Sequence, residues 1–282
     1  MNRIRPIGLL AMAVVAACAV GSAAGDEPQL QERFDTIVLD AGHGGEDDGA
    51  RGARGLLEKE LVLDVGKRVA ARLRKRDLRV VMTRNDDRFV PLEERFAIAN
   101  DARGDLFVSI HANATDDASV RGVETFFLAV DASDEDARRV ALRENEAFAG
   151  ATGLPDLNDP LSAILGDLIV SDYMNESNEF ARLAQRGLAS RDPQHSRGVK
   201  QAPFVVLQGV QMPSSLVEIG FVTNAEEEKR LRTSRARDRI AKALVAAVLE
   251  FGEQFDARRG VGQQLPGGSR SYAHTREDEG AK

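Results

Sequence analysis

Short apolar runs alternate along the chain with longer segments whose apolar residues recur every three or four positions. The short runs predict strands, and the longer segments predict amphipathic helices. The predicted strands are 36–39, 78–83, 106–110, 123–128, 203–207 and 215–219, and the predicted helices are 60–75, 92–100, 134–149, 161–190 and 226–255. This alternation predicts one α/β domain over about residues 35–255. Its core is a twisted, mainly parallel sheet of about six strands with helices on both faces.

The two ends of the chain do not follow this alternation. Residues 1–24 combine two arginines with an apolar run that is too short to span a bilayer, which is typical of an export signal. Cleavage after Ala24 and a lipobox ending at a lipidated Cys18 are both compatible with the small residues of this segment. Residues 257–282 are rich in Gly, Arg and Ser and lack an apolar period, so they predict a flexible tail.

Composition narrows the possible functions. The chain has 38 Lys and Arg against 45 Asp and Glu, a net charge of −7, and 43% hydrophobic residues. This balance is that of a globular protein, and an acidic excess argues against a nucleic-acid partner, which needs a concentrated basic face. The single cysteine, Cys18, excludes a disulfide framework within one chain.

Two of the four histidines stand at positions where α/β sheets bind ligands. His43 and His111 each follow an apolar strand directly and are flanked by Gly or Ala, which let a metal or substrate approach the backbone. The other two are interpreted as surface residues, His195 in a loop and His274 in the tail. One histidine at a strand end is usually structural, and two leave a metal site and a structural role evenly balanced.

Two glutamates complete the candidate chemistry. Glu58 precedes the first long helix, where an acid alone would be explained by the helix dipole. With the two histidines, however, it makes up a catalytic zinc set with an open fourth position. Glu218 lies inside an otherwise apolar strand, where a carboxylate is costly unless it is paired or used. We interpret it as a general base whose pKa is raised by burial.

The blocks that contain these residues resemble the zinc-dependent N-acetylmuramoyl-L-alanine amidases of bacterial cell-wall remodelling. The matching blocks are 37–45, 58–59, 106–114, 198–202 and 212–221, in the same order, over about residues 35–253. The resemblance implies Zn²⁺ held by His43, Glu58 and His111, with Glu218 catalytic. The implied reaction hydrolyses the amide between N-acetylmuramic acid and the L-alanine of peptidoglycan stem peptides. Asn113 is either a substrate contact or a cap of the strand end.

An insertion is expected at about 155–195. Tyr173, Glu176, Phe180 and Leu183 share one helical face, so Glu176 lies among apolar residues and needs a partner, unless it reaches solvent or the helix breaks at Asn175. Regulated family members carry a helix here whose glutamate fills the open zinc position. The resemblance assigns that role to Glu176, or failing that to Glu179. It further implies that a LytM-type activator withdraws the helix by binding at 165–173.

The resemblance also implies a periplasmic enzyme of cell-wall degradation and daughter-cell separation, with a possible outer-membrane lipid anchor at Cys18. Larger members carry an AMIN targeting domain, whereas here only a short leader is expected before the first strand. Two alternatives remain: another zinc hydrolase of peptidoglycan, either a peptidase or a deacetylase, and a non-catalytic wall-binding envelope protein. A phosphate-binding loop is excluded because residues 42–55 lack the Gly-Lys-Ser/Thr ending.

Overall fold

The structure is a computed structural model that describes residues 33–146, 160–190 and 195–261, with the backbone alone for 160–172. The expected export signal with Cys18, residues 262–282 of the predicted tail with His274, and the side chains of the predicted contact surface at 165–172 lie outside what the structure describes. The last helix continues to Arg258, two residues into the predicted tail. The domain boundaries therefore stay predictions. No helix within the described ranges is both long enough and apolar enough to cross a bilayer.

The described residues form one sheet of six strands, in the order β2-β1-β3-β6-β4-β5. The strands are β1 Thr36–Ala41, β2 Arg79–Met82, β3 Leu106–Asn113, β4 Val123–Leu128, β5 Ser196–Ala202 and β6 Ser214–Phe221. All neighbouring strands are parallel except β4 and β6, which are antiparallel. The prediction of a mainly parallel sheet of about six strands is thus confirmed.

Helices cover both faces of this sheet. They are α1 Glu58–Arg74, α2 Leu92–Asp101, α3 Glu135–Glu146, α4 Pro160–Ala189, α5 Val205–Gln208, α6 Ala225–Leu231 and α7 Ser234–Arg258. One apolar cluster joins the sheet to α1, α4 and α7, and a second joins it to α2, α3 and α5. Every residue of β1, β3 and β6 is buried, which explains why these strands appear in the sequence as continuous apolar runs.

The strand predicted at 203–207 was wrong. The fifth strand is Ser196–Ala202, and the apolar run that follows it contains the short helix α5. A run of five apolar residues does not distinguish a buried strand from a buried helical turn. The true strand lies at the edge of the sheet and is mostly half-buried, so its sequence lacks the apolar signature of the central strands.

The strand register aligns the candidate catalytic residues. His111 of β3 stands opposite Glu218 of β6, and Glu218 stands opposite Glu124 of β4. Residues directly opposite in a sheet project from the same face. The three side chains therefore form a row across the sheet, near the carboxyl ends of β3 and β6 where α/β sheets bind their ligands.

Candidate metal centre and active site

His43 lies two residues after β1. Its φ of 58° is a backbone conformation that residues other than glycine rarely adopt. Two buried arginines hold this turn in place. Arg95 donates from Nη2 to the carbonyl oxygen of His43 at 2.9 Å, and Arg84 donates from Nη2 to that of Gly42 at 2.8 Å. The backbone around His43 is therefore fixed by charged donors, which form stronger hydrogen bonds than neutral ones.

Asp47 fixes the orientation of the His43 ring. Its Oδ2 lies 2.8 Å from Nδ1 of His43, and its Oδ1 accepts a hydrogen bond from the backbone N–H of Gly49 at 3.0 Å. An acid in this position keeps the proton on Nδ1 and leaves Nε2 as the ligand atom, which is the usual support of metal-binding histidines. Asp47 was not predicted as part of the site, although it stands four residues after His43 in a glycine-rich loop.

Glu58 is the first residue of α1, where the helix dipole favours a negative charge. Its Oε2 accepts from the backbone N–H of Ala50 at 2.9 Å, and its Oε1 accepts from that of Ala112 at 2.8 Å. The same Oε1 lies 3.1 Å from Nε2 of His43 and 3.1 Å from Nδ1 of His111. The structure thus brings the three predicted metal ligands together.

A fourth group, Glu144 of α3, joins them. Its Oε2 lies 2.8 Å from Nδ1 of His111 and 3.3 Å from Nε2 of His43, while its Oε1 accepts from Arg143 Nη2 at 2.8 Å. One ligand atom from each of the four residues lies within 4.8 Å of the others. All four side chains are buried, so the cluster is enclosed rather than a surface group of acids.

Glu144 was not predicted, although the helical spacing of α3 contains a signal for it. The buried residues of α3 are Ala137, Val140, Ala141 and Glu144, whose spacing is that of one helical face. An acid on a buried apolar face needs a partner. Glu144 therefore meets the same condition that led to the prediction for Glu176.

The electrostatics of the cluster favour a cation at its centre. Burial alone would lower the pKa of His111, but the carboxylates of Glu144 and Glu58 raise it to about 10. Burial alone would raise the pKa of Glu58, but His43 beside it and hydrogen bonds from both histidines lower it to about 2. Two carboxylates facing two imidazoles in a buried space therefore stabilise positive charge, which a divalent metal supplies.

Two further observations fit a metal at this position. Nε2 of His43 and Oε2 of Glu144 are buried and, among the described residues, have no partner with hydrogen-bond geometry. A Cβ on Gly42 would lie 2.3 Å from the His111 ring, and one on Gly49 would lie 2.6 Å from that of His43. The loop therefore needs glycine to pack against both rings. Imidazole nitrogens with carboxylate oxygens are a donor set that suits zinc.

Glu218 lies next to this cluster and is not part of it. It is fully buried, and neither carboxylate oxygen has a hydrogen-bond partner among the described residues. Arg143 Nη2 is the nearest cation, 3.8 Å from Oε1. Burial raises the pKa of Glu218 well above its usual range, and the charge of Glu144 raises it further, while Arg143 opposes the shift. A carboxyl group with a raised pKa accepts a proton more readily than an ordinary glutamate does.

Glu176 does not lie with the cluster, which corrects its assignment as the blocking ligand. It is half-buried on α4. The adjacent Ser177 accepts a hydrogen bond at Oγ from the backbone N–H of Ser214 at 2.9 Å, at the start of β6. That is four residues, or about 13 Å, before Glu218 along the strand. The alternative residue, Glu179, forms an ion pair with Arg258.

Asn113 is buried at the end of β3 and donates from Nδ2 to Oε1 of Glu124 at 2.7 Å. The pair was not predicted, because Glu124 is 11 residues away on another strand. His195 lies at the start of β5 and is not part of the four-residue cluster.

The fold is that of the catalytic domain of an amidase. The family model described as N-acetylmuramoyl-L-alanine amidase (Amidase_3) matches residues 37–250. The amidase AmiA of Escherichia coli K12 is 37% identical over 226 residues, which are 79% of this chain and 78% of AmiA. AmiC of Escherichia coli O6:H1 is 34% identical over 78% of this chain and 54% of AmiC. Among solved structures, AmiC2 of Nostoc punctiforme is 30% identical with a TM-score of 0.58, over 78% of this chain and 98% of that one.

This chain belongs to the Amidase_3 family of N-acetylmuramoyl-L-alanine amidases. The family, the fold class and the enzyme class predicted from the sequence are thereby confirmed. The same findings argue against the non-catalytic alternative and against a peptidase or deacetylase.

Proposed function

We propose that this protein is a zinc-dependent peptidoglycan amidase that its own Glu144 holds in a blocked state. The substrate is the amide between the lactyl group of N-acetylmuramic acid and the L-alanine of the stem peptide. The observation that carries the proposal is the convergence of Glu144 Oε2 with the ligand atoms of His43, Glu58 and His111, all within 4.8 Å.

Three of these residues would hold the metal in the active form. Their ligand atoms would be Nε2 of His43, Oε1 of Glu58 and Nδ1 of His111, each oriented by the contacts described above. A zinc ion in such a set supplies Lewis-acid polarisation of a carbonyl oxygen and activation of water near neutral pH. The protein contributes the fixed positions of the ligands and a buried surrounding that strengthens electrostatic interactions.

Glu218 is the residue that moves the proton. Its buried carboxylate faces no donor in the described structure, so it is available to take a proton from the attacking water and to return it to the departing alanine nitrogen. Its raised pKa suits both steps, because the group accepts a proton readily and retains it until the leaving nitrogen needs it. Arg143 opposes this rise and so favours the ionised form that accepts the proton.

Glu144 is the blocking residue. Catalytic zinc sites keep a fourth position open for water or substrate. Glu144, which lies with the three ligand residues, would occupy that position if zinc were bound. Contacts of α3 keep Glu144 there: Arg143 donates to the carbonyl oxygen of Ala114, and Asn145 donates to that of Pro203 at 2.9 Å. The backbone N–H of Val205 in turn donates to Asn145 Oδ1 at 3.0 Å. Activity then requires these contacts to break.

An activator supplies the energy for this step by binding the open state more tightly than the blocked state. We propose a LytM-type protein for this role, as the family resemblance implies, and the periplasm as the compartment. Leu142, in the last turns of α3, has a side chain 54% exposed and offers an apolar contact close to Glu144. Anchoring to the outer membrane through Cys18 stays part of the proposal.

The test is the release of stem peptides from purified peptidoglycan by the wild-type protein and by single variants, with zinc content measured in parallel. We expect Glu144→Ala to raise the rate by at least about tenfold, and Glu218→Ala to abolish activity while zinc is retained. Glu135→Ala, at the exposed start of α3, is the matched control, and Glu176→Ala should also leave the rate unchanged. Products other than stem peptides with a free alanine amine would contradict the amidase proposal.

A further inference from the structure

A cavity of about 600 Å³ opens beside the metal cluster. It lies between the end of β3, the start of β4 and helix α3. Its lining includes Asn113, Thr115, Glu124, Arg143, Arg197 and Phe221. Asn113 is two residues after His111 on β3, where the pairing with β6 shifts its register. Its side chain still lies on the face of His111, because it contacts Glu124, which stands in one row with Glu218 and His111. The cavity therefore continues from the metal cluster in the direction in which β3 runs.

Asn113 presents an acceptor without a donor in this cavity. Its side chain is fully buried, and its Oδ1 has no hydrogen-bond partner among the described residues. Its Nδ2, by contrast, donates to Oε1 of Glu124 at 2.7 Å. A buried amide oxygen without a donor costs free energy, which a ligand with an N–H group would recover.

Glu124 determines which end of the Asn113 amide faces the cavity. Its Oε2 lies 3.2 Å from Nε of Arg197 and 3.3 Å from Nζ of Lys200, and the carboxylate is buried with these two cations. A carboxylate held by two cations only accepts hydrogen bonds, so it accepts the NH₂ group of Asn113. The oxygen of Asn113 must then point away from Glu124. Arg197 in turn packs over the ring of Phe221, 5.3 Å from its centre.

We propose that Asn113 and Glu124 form a subsite in which Asn113 Oδ1 accepts a backbone N–H of the stem peptide. Asn113 binds the substrate, and Glu124 is a positioning residue that acts through Asn113. The inference rests on the amidase function proposed above and specifies how that site binds the peptide portion. A peptide amide is the ligand that matches the cavity, because it carries an N–H donor and lies next to the bond to be cleaved.

Binding is measured by calorimetry on zinc-loaded protein carrying Glu144→Ala and Glu218→Gln, which is unblocked and does not cleave the ligand. The parent ligand is N-acetylmuramoyl-L-alanyl-D-isoglutamine. Two analogues of it each carry a methyl group on one of the two backbone amide nitrogens of the peptide. We expect Asn113→Ala to weaken binding of the parent ligand by about tenfold, the size of one hydrogen bond. One of the two methylated ligands should bind the protein with intact Asn113 about tenfold more weakly than the parent ligand does. In the Asn113→Ala protein, that methylated ligand and the parent should bind equally well.

The role of Glu124 is tested by exchanging the two polar groups. Glu124→Gln alone should weaken binding, because a neutral amide no longer dictates the orientation of Asn113. The double variant with Asn113→Asp and Glu124→Gln should restore binding, because the carboxylate then accepts from Gln at one oxygen and keeps the other for the ligand. Restoration would not occur if Glu124 served only to stabilise the fold, which thermal unfolding of each variant measures separately.

The subsite and the amidase function fail in different ways. The subsite would be overturned if the parent ligand bound equally well with and without Asn113→Ala. It would also be overturned if methylation weakened binding by the same factor in both proteins. The amidase function would survive that result if the Glu144→Ala protein with intact Glu218 still releases stem peptides. Absence of that release overturns the function and the subsite together.

Discussion

Oε2 of Glu144 lies 2.8 Å from Nδ1 of His111, closer than it lies to any other nitrogen of the metal cluster. The two residues come from α3 and β3, which are separated by β4 in the chain. One carboxylate thus links α3 to the buried His111 of the central strand β3. Movement of α3 away from the sheet would withdraw Glu144 from the cluster in a single step.

This link predicts opposite changes in metal affinity and activity for Glu144→Ala. Removing a fourth protein ligand should lower the affinity for zinc, while freeing the position that catalysis requires should raise the rate. Competition with a chelator measures the affinity, and stem-peptide release measures the rate. Glu135→Ala should change neither. A variant in which affinity and activity fell together would contradict a blocking role for Glu144.

Asp47 should affect zinc affinity without contacting the metal. Its Oδ2 holds Nδ1 of His43 at 2.8 Å and so orients the ring. Loss of such a partner costs about 10- to 100-fold in metal affinity. We expect Asp47→Asn to show this loss in the same chelator competition, with a smaller effect on thermal unfolding. The adjacent Asp48, which pairs with Arg51 and Lys59 at the surface, gives the matched variant Asp48→Asn, for which zinc affinity should be unchanged.

Much of this structure could be predicted from the sequence. Continuous apolar runs mark β1, β3 and β6 because these strands are buried on both faces, and the polar residues that follow or interrupt them mark the site. His43, His111 and Glu218 were predicted in this way, and Glu58 was predicted as the acid that completes a zinc set with the two histidines. The structure brings His43, Glu58 and His111 together. The edge strand β5 was missed because half-buried positions do not select apolar residues.

Glu176 was predicted to lie with the metal ligands, whereas Glu144 does, and the reason for this difference is physical. Both α3 and α4 place a glutamate on a partly apolar helical face, and helical periodicity does not say which helix packs at the carboxyl ends of the strands. Contacts between Ser177 and the start of β6 place the Glu176 region of α4 at the opposite end from the cluster. The pairing of Asn113 with Glu124 likewise depends on sheet order, which the sequence alone does not determine.

Gly42 should be irreplaceable in the metal centre. A Cβ at this position would lie 2.3 Å from Cε1 and 2.5 Å from Nε2 of His111, much closer than atoms approach without displacement. We expect Gly42→Ala to shift the His111 ring and to lower zinc affinity by at least about tenfold. Gly66→Ala in α1 is the control, because the added Cβ would meet only the flexible end of Met82 at 3.3 Å. That variant should keep its zinc affinity and unfold at a similar or higher temperature.

The buried pair of Asp40 and Arg95 predicts how stability depends on pH. Oδ1 of Asp40 lies 2.7 Å from Nη1 of Arg95, and Thr83 and Ser109 donate to the same carboxylate. Burial opposes ionisation of Asp40, but Arg95 and the two hydroxyl groups outweigh it and hold its pKa below the ordinary value of 3.8. Because the folded-state pKa is lowered, the unfolded chain binds the proton more readily. The stabilisation is therefore present above about pH 4 and is lost as the pH falls through the folded-state pKa.

Asp40→Asn removes this contribution and leaves the charge of Arg95 buried without its partner carboxylate. We expect it to lower the free energy of unfolding by about 3–5 kcal/mol at pH 7, the usual cost of breaking a buried ion pair. Urea denaturation from pH 7 to pH 3 checks both effects. The difference between wild type and variant should shrink towards the acid end, because protonation of Asp40 in the wild type removes the same charge. Asp35→Asn, which alters an exposed acid directly before β1, should show no such convergence. A difference that stayed constant across the range would mean that the pair contributes through packing rather than through its charge.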